Sequence, residues 1–273
     1  MQSGNCKELF YIWGMKNQKA IVTMAVGERY FQMFHLICQN NWMEYCDRFG
    51  YDLIVIEDKM DTSDRASSRS ASWQKLLILS QDWSSEYDRI IWVDVDVIMN
   101  SKYAYDICDG VPIEKVGAVD SYSIPTREIH RIALSRLYDE WKSSNTPFIE
   151  NLLPSQYYTN RGINGGNLDN VVQAGVMVCS PIHHREIFEK VYYGYEDKHG
   201  AEWNYEMPAL SFELLQADLV HWISPRFNFC VSDIEAAFYH GSEGNHLKDI
   251  YDLSIFMHFA GCAHKMPLAT QFI

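Results

Sequence analysis

No stretch of the 273-residue sequence approaches the run of about eighteen apolar residues that a membrane-crossing helix needs. Met1 to Lys19 places Lys7, Glu8, Lys16 and Lys19 around a short FYIWGM patch, which is not the pattern of a secretory signal. The expectation is a cytoplasmic protein whose only membrane contact would be peripheral. The seven cysteines, Cys6, Cys38, Cys46, Cys108, Cys179, Cys230 and Cys262, are odd in number and scattered without a CxxC pair. This argues against a disulfide framework, and they read as reduced, several of them buried. There is no Lys/Arg run, and 36 acidic against 23 basic residues give a net charge of -13. A nucleic-acid backbone would be repelled, so nucleic acid is excluded as a partner. Any anionic ligand would need a divalent cation and a few local Lys or Arg residues to offset that repulsion. With no internal repeat and no linker-like shift in composition, one domain over residues 1–273 is the simplest organisation.

The chain does hold 47% hydrophobic residues and 14% aromatics, enough for one large α/β core. AIVTMAV (Ala20 to Val26) reads as a first strand, Arg29 to Arg48 as a crossover helix with Gly50 as its stop, and the apolar run in YDLIVIED as a second strand. DTSDRASSRSAS (Asp61 to Ser72) is a loop, and SWQKLLILSQDW predicts a helix leading into a third strand, Arg89 to Val93. Lys115 to Val119 predicts a fourth. A long excursion follows from Arg127 to Asn170, in which RGINGGNLDN marks a mobile or tightly turned loop. Val171 to Cys179 returns to strand character, Arg185 to Glu196 and Glu206 to Gln216 read as helices, and Leu219 to Ile223 as a short strand. This is the strand–helix alternation of a parallel α/β sheet.

The most informative motif is WVDVD, where Asp94 and Asp96 stand at alternate positions as an apolar strand runs out. Side chains at i and i+2 of a strand project to one side, so both carboxylates reach one hard cation at the carboxyl end of the sheet. Apolar neighbours on either side bury the pair, and burying two like charges without a cation is costly. A His beside a small-residue turn, as in MHFAGCAHK, offers a third ligand in His258. Its neutral imidazole suits Mn²⁺ better than Mg²⁺, although Mg²⁺ remains the alternative. Gly261 lets the backbone approach a diphosphate closely.

The run YDRIIWVDVDVIM resembles a segment of retaining GT-A glycosyltransferases, the set that includes the glycogenin-like family (family 8) and the plant-type galactosyl- and xylosyltransferases (family 34). SWQKLLIL, QAGVMVCS, NYEMPALSFEL and MHFAGCAHK resemble further elements of that set in the same order. The resemblance implies an α/β fold of the GT-A type, with a Rossmann-like, mostly parallel central sheet flanked by helices. It also implies a nucleotide-sugar half over about 18–125 and an acceptor half over about 126–273.

The implied reaction is Mn²⁺-dependent transfer of a sugar from a nucleotide diphosphate donor, such as a UDP-sugar or alternatively a GDP-sugar, to a glycan or other hydroxyl acceptor, with retention of configuration. Asp94, Asp96 and His258 would hold the metal. Thr23, Ala25, Val26 and Tyr30 would grip the base and ribose, and Val95 would line the donor site. Arg69, Lys75 or both would meet phosphate or sugar hydroxyls, and Asp120 would bind hydroxyls of the sugar. Gly261 with either His264 or Lys265 would meet the leaving phosphate, because the chain departs here from the family's Gly-to-Lys spacing. Gln173 and Glu206 are the candidates to face the anomeric carbon. RFN (Arg226 to Asn228) matches a loop placed near the acceptor, which Tyr157 to Asn170 would help to select. An inverting outcome would instead call on Asp233 or Glu235 as general base. The rival classes are a sugar nucleotidyltransferase and an inactive carbohydrate-binding protein of the same fold.

Overall fold

Strands whose residues are almost all apolar belong in the middle of a sheet covered on both faces. The computed structural model describes residues 10–13, 17–144, 152–197, 206–241 and 246–273. Its larger sheet runs β1 (Phe10–Trp13), β3 (Asp52–Ile56), β2 (Lys19–Met24), β4 (Arg89–Val93), β7 (Val172–Cys179), β6 (Val116–Asp120) and β8 (Val220–Trp222). Five of these seven strands, β2, β3, β4, β6 and β8, share one direction, and β1 and β7 oppose them. The mostly parallel α/β sheet expected from the sequence is therefore present, with one reversed strand at its centre. β7 is reversed because the long excursion after β6 returns the chain between β4 and β6 from the opposite end.

Alternate residues sort cleanly between two faces. Ile21, Leu53, Val55, Ile91 and Val93 pack with Phe34, Trp42 and Tyr45 on one side. Ala20, Val22, Ile54, Ile90 and Trp92 pack with Trp73, Leu76, Phe188 and Leu210 on the other. The helix expected at Arg29 to Arg48 is a continuous run through Glu28–Met33, a π-helical stretch Phe34–Cys38 and Gln39–Phe49. Gly50 stops it in the left-handed conformation (φ 70°), its N–H donating to the Cys46 carbonyl at 2.9 Å. The segment before β4 differs from expectation: it is a 3₁₀ helix over Ala71–Ser80. Trp73 to Leu79 are all buried, so no solvent-facing stripe imposes the 3.6-residue period. The RGINGGNLDN segment is tightly turned, with the Leu168 N–H donating to the Gly165 carbonyl at 2.9 Å.

A second, smaller sheet joins β5 (Val97–Met99), β10 (Phe256–His258) and β9 (Phe229–Cys230). Its first strand directly follows the two aspartates, and all three strands are too short to carry a periodic signal in the sequence. Asn41 and Trp42 of the first helix bond the backbone of Met99 and Val97, which fixes β5 in place. Among the described residues, Cys38, Cys46, Cys108, Cys179, Cys230 and Cys262 carry free thiols. Cys6 lies outside the described residues, as do Asn204 and Tyr205 at the start of NYEMPALSFEL. Among the described residues, no helix is long and apolar enough to cross a membrane.

His184 ties the end of β7 to the segment that leads into the neighbouring strand β6. Its Nδ1 accepts from the Ser180 N–H at 2.9 Å, and its Nε2 lies 3.1 Å from the Glu114 carbonyl, to which it donates. Both nitrogens are thus used by the neutral ring. Burial pushes the His184 pKa down from 6.5 to about 4. As pH falls below 6.5 the unfolded chain takes up the proton first, so stability is lost until the folded pKa is reached. Urea titrations should show a loss on the order of 3 kcal/mol between those two pH values from this group. His184→Gln can keep both hydrogen bonds without titrating, and should be less acid-sensitive by that amount. Equal acid sensitivity in the two proteins would remove His184 as the cause.

Candidate active site

The site lies at the carboxyl end of β4, where WVDVD leaves the sheet. Two backbone contacts set its shape. The register between β6 and β7 shifts at Ala118/Val119, so that Ala174, Gly175 and Val176 of β7 have no partner on the β6 side. The Asp94 N–H donates to the Gly175 carbonyl at 2.8 Å. On the other side β10 runs antiparallel to β5 with His258 opposite Val97, and the Phe259 N–H donates to the Asp96 carbonyl at 2.9 Å. Strand pairing thus carries His258 from the tail of the chain to the aspartates.

One ligand atom from each of Asp94, Asp96 and His258 lies within 4.8 Å of the others. His258 Nε2 is 3.3 Å from Asp96 Oδ1, and its Nδ1 is 2.7 Å from Asn228 Oδ1. Gly175 is needed for this approach, because a Cβ there would come within 2.4 Å of His258 Cε1. Burial pushes Asp94 above the ordinary carboxylate value against the pull of Lys75, and the Asp96 charge adds to the rise. Burial acts the same way on Asp96, but His258 overrides it and holds Asp96 low. Two carboxylates and one imidazole on a shared focus are a donor set that fits a divalent cation.

Lys75 is the second centre of charge. Buried under the cleft, its Nζ donates to Asp94 Oδ1 at 2.9 Å and to the Ala174 carbonyl at 3.3 Å, and meets Glu206 Oε1 at 2.9 Å. The two carboxylates hold the Lys75 pKa above its ordinary value although burial alone would lower it. Glu206 is held below its ordinary value by Lys75 and Ser72, again against burial. Trp92 Nε1 gives Asp94 Oδ1 a further bond at 2.7 Å.

These groups line a cleft of about 460 Å³, together with Arg29, Tyr30, Gln173, Gly261 and His264. A smaller recess of about 220 Å³ adjoins it, walled by Val26, Tyr30, Trp92 and Val95. Most of the sequence candidates therefore converge, and five do not. Arg69 is withdrawn from the cleft: its guanidinium stacks on Trp73 and donates to the Tyr192 and Tyr195 carbonyls, which close the end of the helix Pro181–Gly194. Asp120 is buried in its own turn, accepting from Ser123 Oγ at 2.7 Å and Asn170 Nδ2 at 2.7 Å. Lys265 turns aside to Glu235 at 2.6 Å, which leaves His264 as the residue of that pair in the cleft. Thr23 and Ala25 are fully buried and line neither the cleft nor the recess. Glu206 is not the surface residue that a helix position suggests; its side chain is 5% exposed.

Sequence reasoning placed Asn228 near the acceptor, whereas it sits behind His258. Its Nδ2 donates to Gln173 Oε1 at 3.0 Å. Arg29, Ser72 and Met207 also line the cleft and were not singled out. Arg29 is exposed, and nothing in a single exposed charge marks it in the sequence.

Lys75→Met should cost about 3–5 kcal/mol in urea denaturation at neutral pH, because it strands the buried Glu206 carboxylate. Lys75→Met/Glu206→Leu should recover a large part of that loss. A single-variant loss below about 1 kcal/mol would show that the pair is not a buried ion pair in solution.

No family model matches the chain, and no curated protein sequence does. Among solved structures it is similar to a glycosyltransferase involved in glycosylation of the major capsid of PBCV-1, with 13% identity and a TM-score of 0.53 over 93% of this chain and 100% of that one. It is also similar to the apo form of the bifunctional glycosyltransferase WbbM, with 13% identity and a TM-score of 0.52. That match covers 90% of this chain but only 46% of WbbM, so the chain spans about half the length of that neighbour. The mixed α/β architecture, with its mostly parallel central sheet flanked by helices, is the GT-A fold of these glycosyltransferases.

Proposed function

We propose that the chain is a glycosyltransferase that moves a sugar from a nucleotide diphosphate sugar, a UDP-sugar by preference, to a hydroxyl of a glycan or glycosylated acceptor, with retention of configuration. One observation carries this reading: Asp94, Asp96 and His258 share one focus at the mouth of a polar cleft, on a fold shared with glycosyltransferases. Asp94, Asp96 and His258 would hold a Mn²⁺ ion, which when bound supplies Lewis-acid stabilisation of the diphosphate leaving group.

The rest of the site has work of its own. The recess beside Val26 and Tyr30 suits a base and ribose, with the exposed Tyr30 ring free to stack. Gly261, at φ 70°, presents backbone without a side chain, and His264 stands beside it as a donor to phosphate. Lys75 holds Asp94 and Glu206 in place and keeps the Glu206 carboxylate ionised, and Glu206 faces the positive charge that builds on the sugar as the anomeric C–O bond breaks. The acceptor oxygen then bonds the anomeric carbon on the same face, and its proton passes to the departing phosphate oxygen. Asp233 and Glu235 do not line the cleft, and Glu235 is engaged by Lys265, so neither supports an inverting base.

With Mn²⁺ and a panel of UDP-, GDP- and dTDP-sugars, released nucleotide should reveal slow hydrolysis of one donor. Asp96→Asn should lower that rate by about a hundredfold or more, as expected when several kcal/mol of leaving-group stabilisation are removed. If no donor is hydrolysed and Mn²⁺ promotes no nucleotide binding, the transferase reading fails and the fold serves as a carbohydrate binder.

A further inference from the structure

A chain of hydrogen bonds ends on His258, and its polarity is fixed at the far end. The Gly175 N–H donates to Gln173 Oε1 at 2.6 Å, and Asn228 Nδ2 reaches the same oxygen at 3.0 Å. Asn228 Oδ1 is 2.7 Å from His258 Nδ1. A backbone N–H can only donate, so Gln173 must turn its carbonyl oxygen toward Gly175. That oxygen can only accept, so Asn228 must offer it the amino group and present its own oxygen to the imidazole. The Nδ1 of His258 must then carry the hydrogen. Asn228 is 0% and His258 2% exposed, so water cannot substitute for either partner. The other nitrogen, Nε2, faces Asp96 Oδ1 from 3.3 Å: in the imidazolium it donates to that carboxylate, and once the ring is neutral it is the nitrogen that carries the lone pair.

We propose that Gln173 and Asn228 are positioning residues: a relay anchored on the Gly175 N–H that fixes His258 in its Nδ1–H tautomer and makes Nε2 a ready-made cation ligand. This revises the role read for Gln173 from the sequence. Its oxygen is committed to two donors and is not offered to a sugar carbon. The final step rests on the metal site described under Proposed function, whereas the tautomer itself does not. Metal-bound histidines are commonly oriented through the second ring nitrogen, and loss of such a partner lowers metal affinity by about ten- to a hundredfold.

Two readouts on the metal-free protein test the relay. Long-range ¹H–¹⁵N spectra at alkaline pH, with His258→Gln for assignment, report the tautomer, and calorimetry with Mn²⁺ alone reports affinity. Wild-type His258 should be Nδ1–H. Asn228→Ala and Gln173→Met should admit the Nε2–H form and weaken Mn²⁺ by about ten- to a hundredfold. Asn228→Asp still accepts from Nδ1–H and should keep the wild-type tautomer. Gln173→Met, at a half-buried position, serves if Asn228→Ala does not fold. An Nε2–H ring in the wild type overturns the relay, as do variants that keep both the Nδ1–H form and wild-type affinity. An Nδ1–H wild type that loses this form in the variants but binds no Mn²⁺ would support the relay and defeat the metal reading.

Discussion

The pairing of β10 with β5 is the contact on which the site depends. Asp94 and Asp96 follow from local sequence, but two carboxylates beside a buried lysine are not yet a metal site. The third ligand arrives because Phe256–His258 lies antiparallel to Val97–Met99, with His258 opposite Val97. Bonds from Asn41 and Trp42 to the backbone of β5 hold that strand still. Gly175 of β7 then lies against the imidazole, where no side chain larger than hydrogen fits. Three segments distant in sequence are thus fixed by backbone contacts, and the side chains need little freedom.

Electrostatics explains why such an acidic cleft is tolerable. Asp94, Asp96 and Glu206 would repel one another strongly in so confined a space. Lys75 takes two of them, and the His258 ring facing Asp96 takes the third in its protonated form. What remains between Asp94, Asp96 and His258 suits one divalent cation, and the net charge of -13 makes such an ion the natural bridge to an anionic ligand.

The sheet and the aspartates were legible in the sequence because apolar strands and a paired-carboxylate ending carry periodic, local signals. β4 was read at its observed bounds, and β7 came within one residue of them. What escaped was long-range pairing. Arg69, flanking the loop before β4, and Lys265, in the MHFAGCAHK motif, read from the sequence as cations available to the donor. Each is taken by partners on other elements, Arg69 by carbonyls that end a helix and Lys265 by Glu235. Asp120 looked like a hydroxyl binder and instead closes its own turn. Asn228 escaped because a buried neutral amide leaves no mark in periodicity or charge. The second sheet escaped because its strands are only two or three residues long.

The most direct test of the central claim is pulsed EPR of Mn²⁺ added to the protein with a nucleoside diphosphate. The account expects ¹⁴N modulation from one imidazole, absent in His258→Ala, together with ³¹P coupling from the diphosphate on the same ion. A Mn²⁺ spectrum with ³¹P but no ¹⁴N coupling, or one unchanged from the ion in water, would contradict the shared site of Asp94, Asp96 and His258.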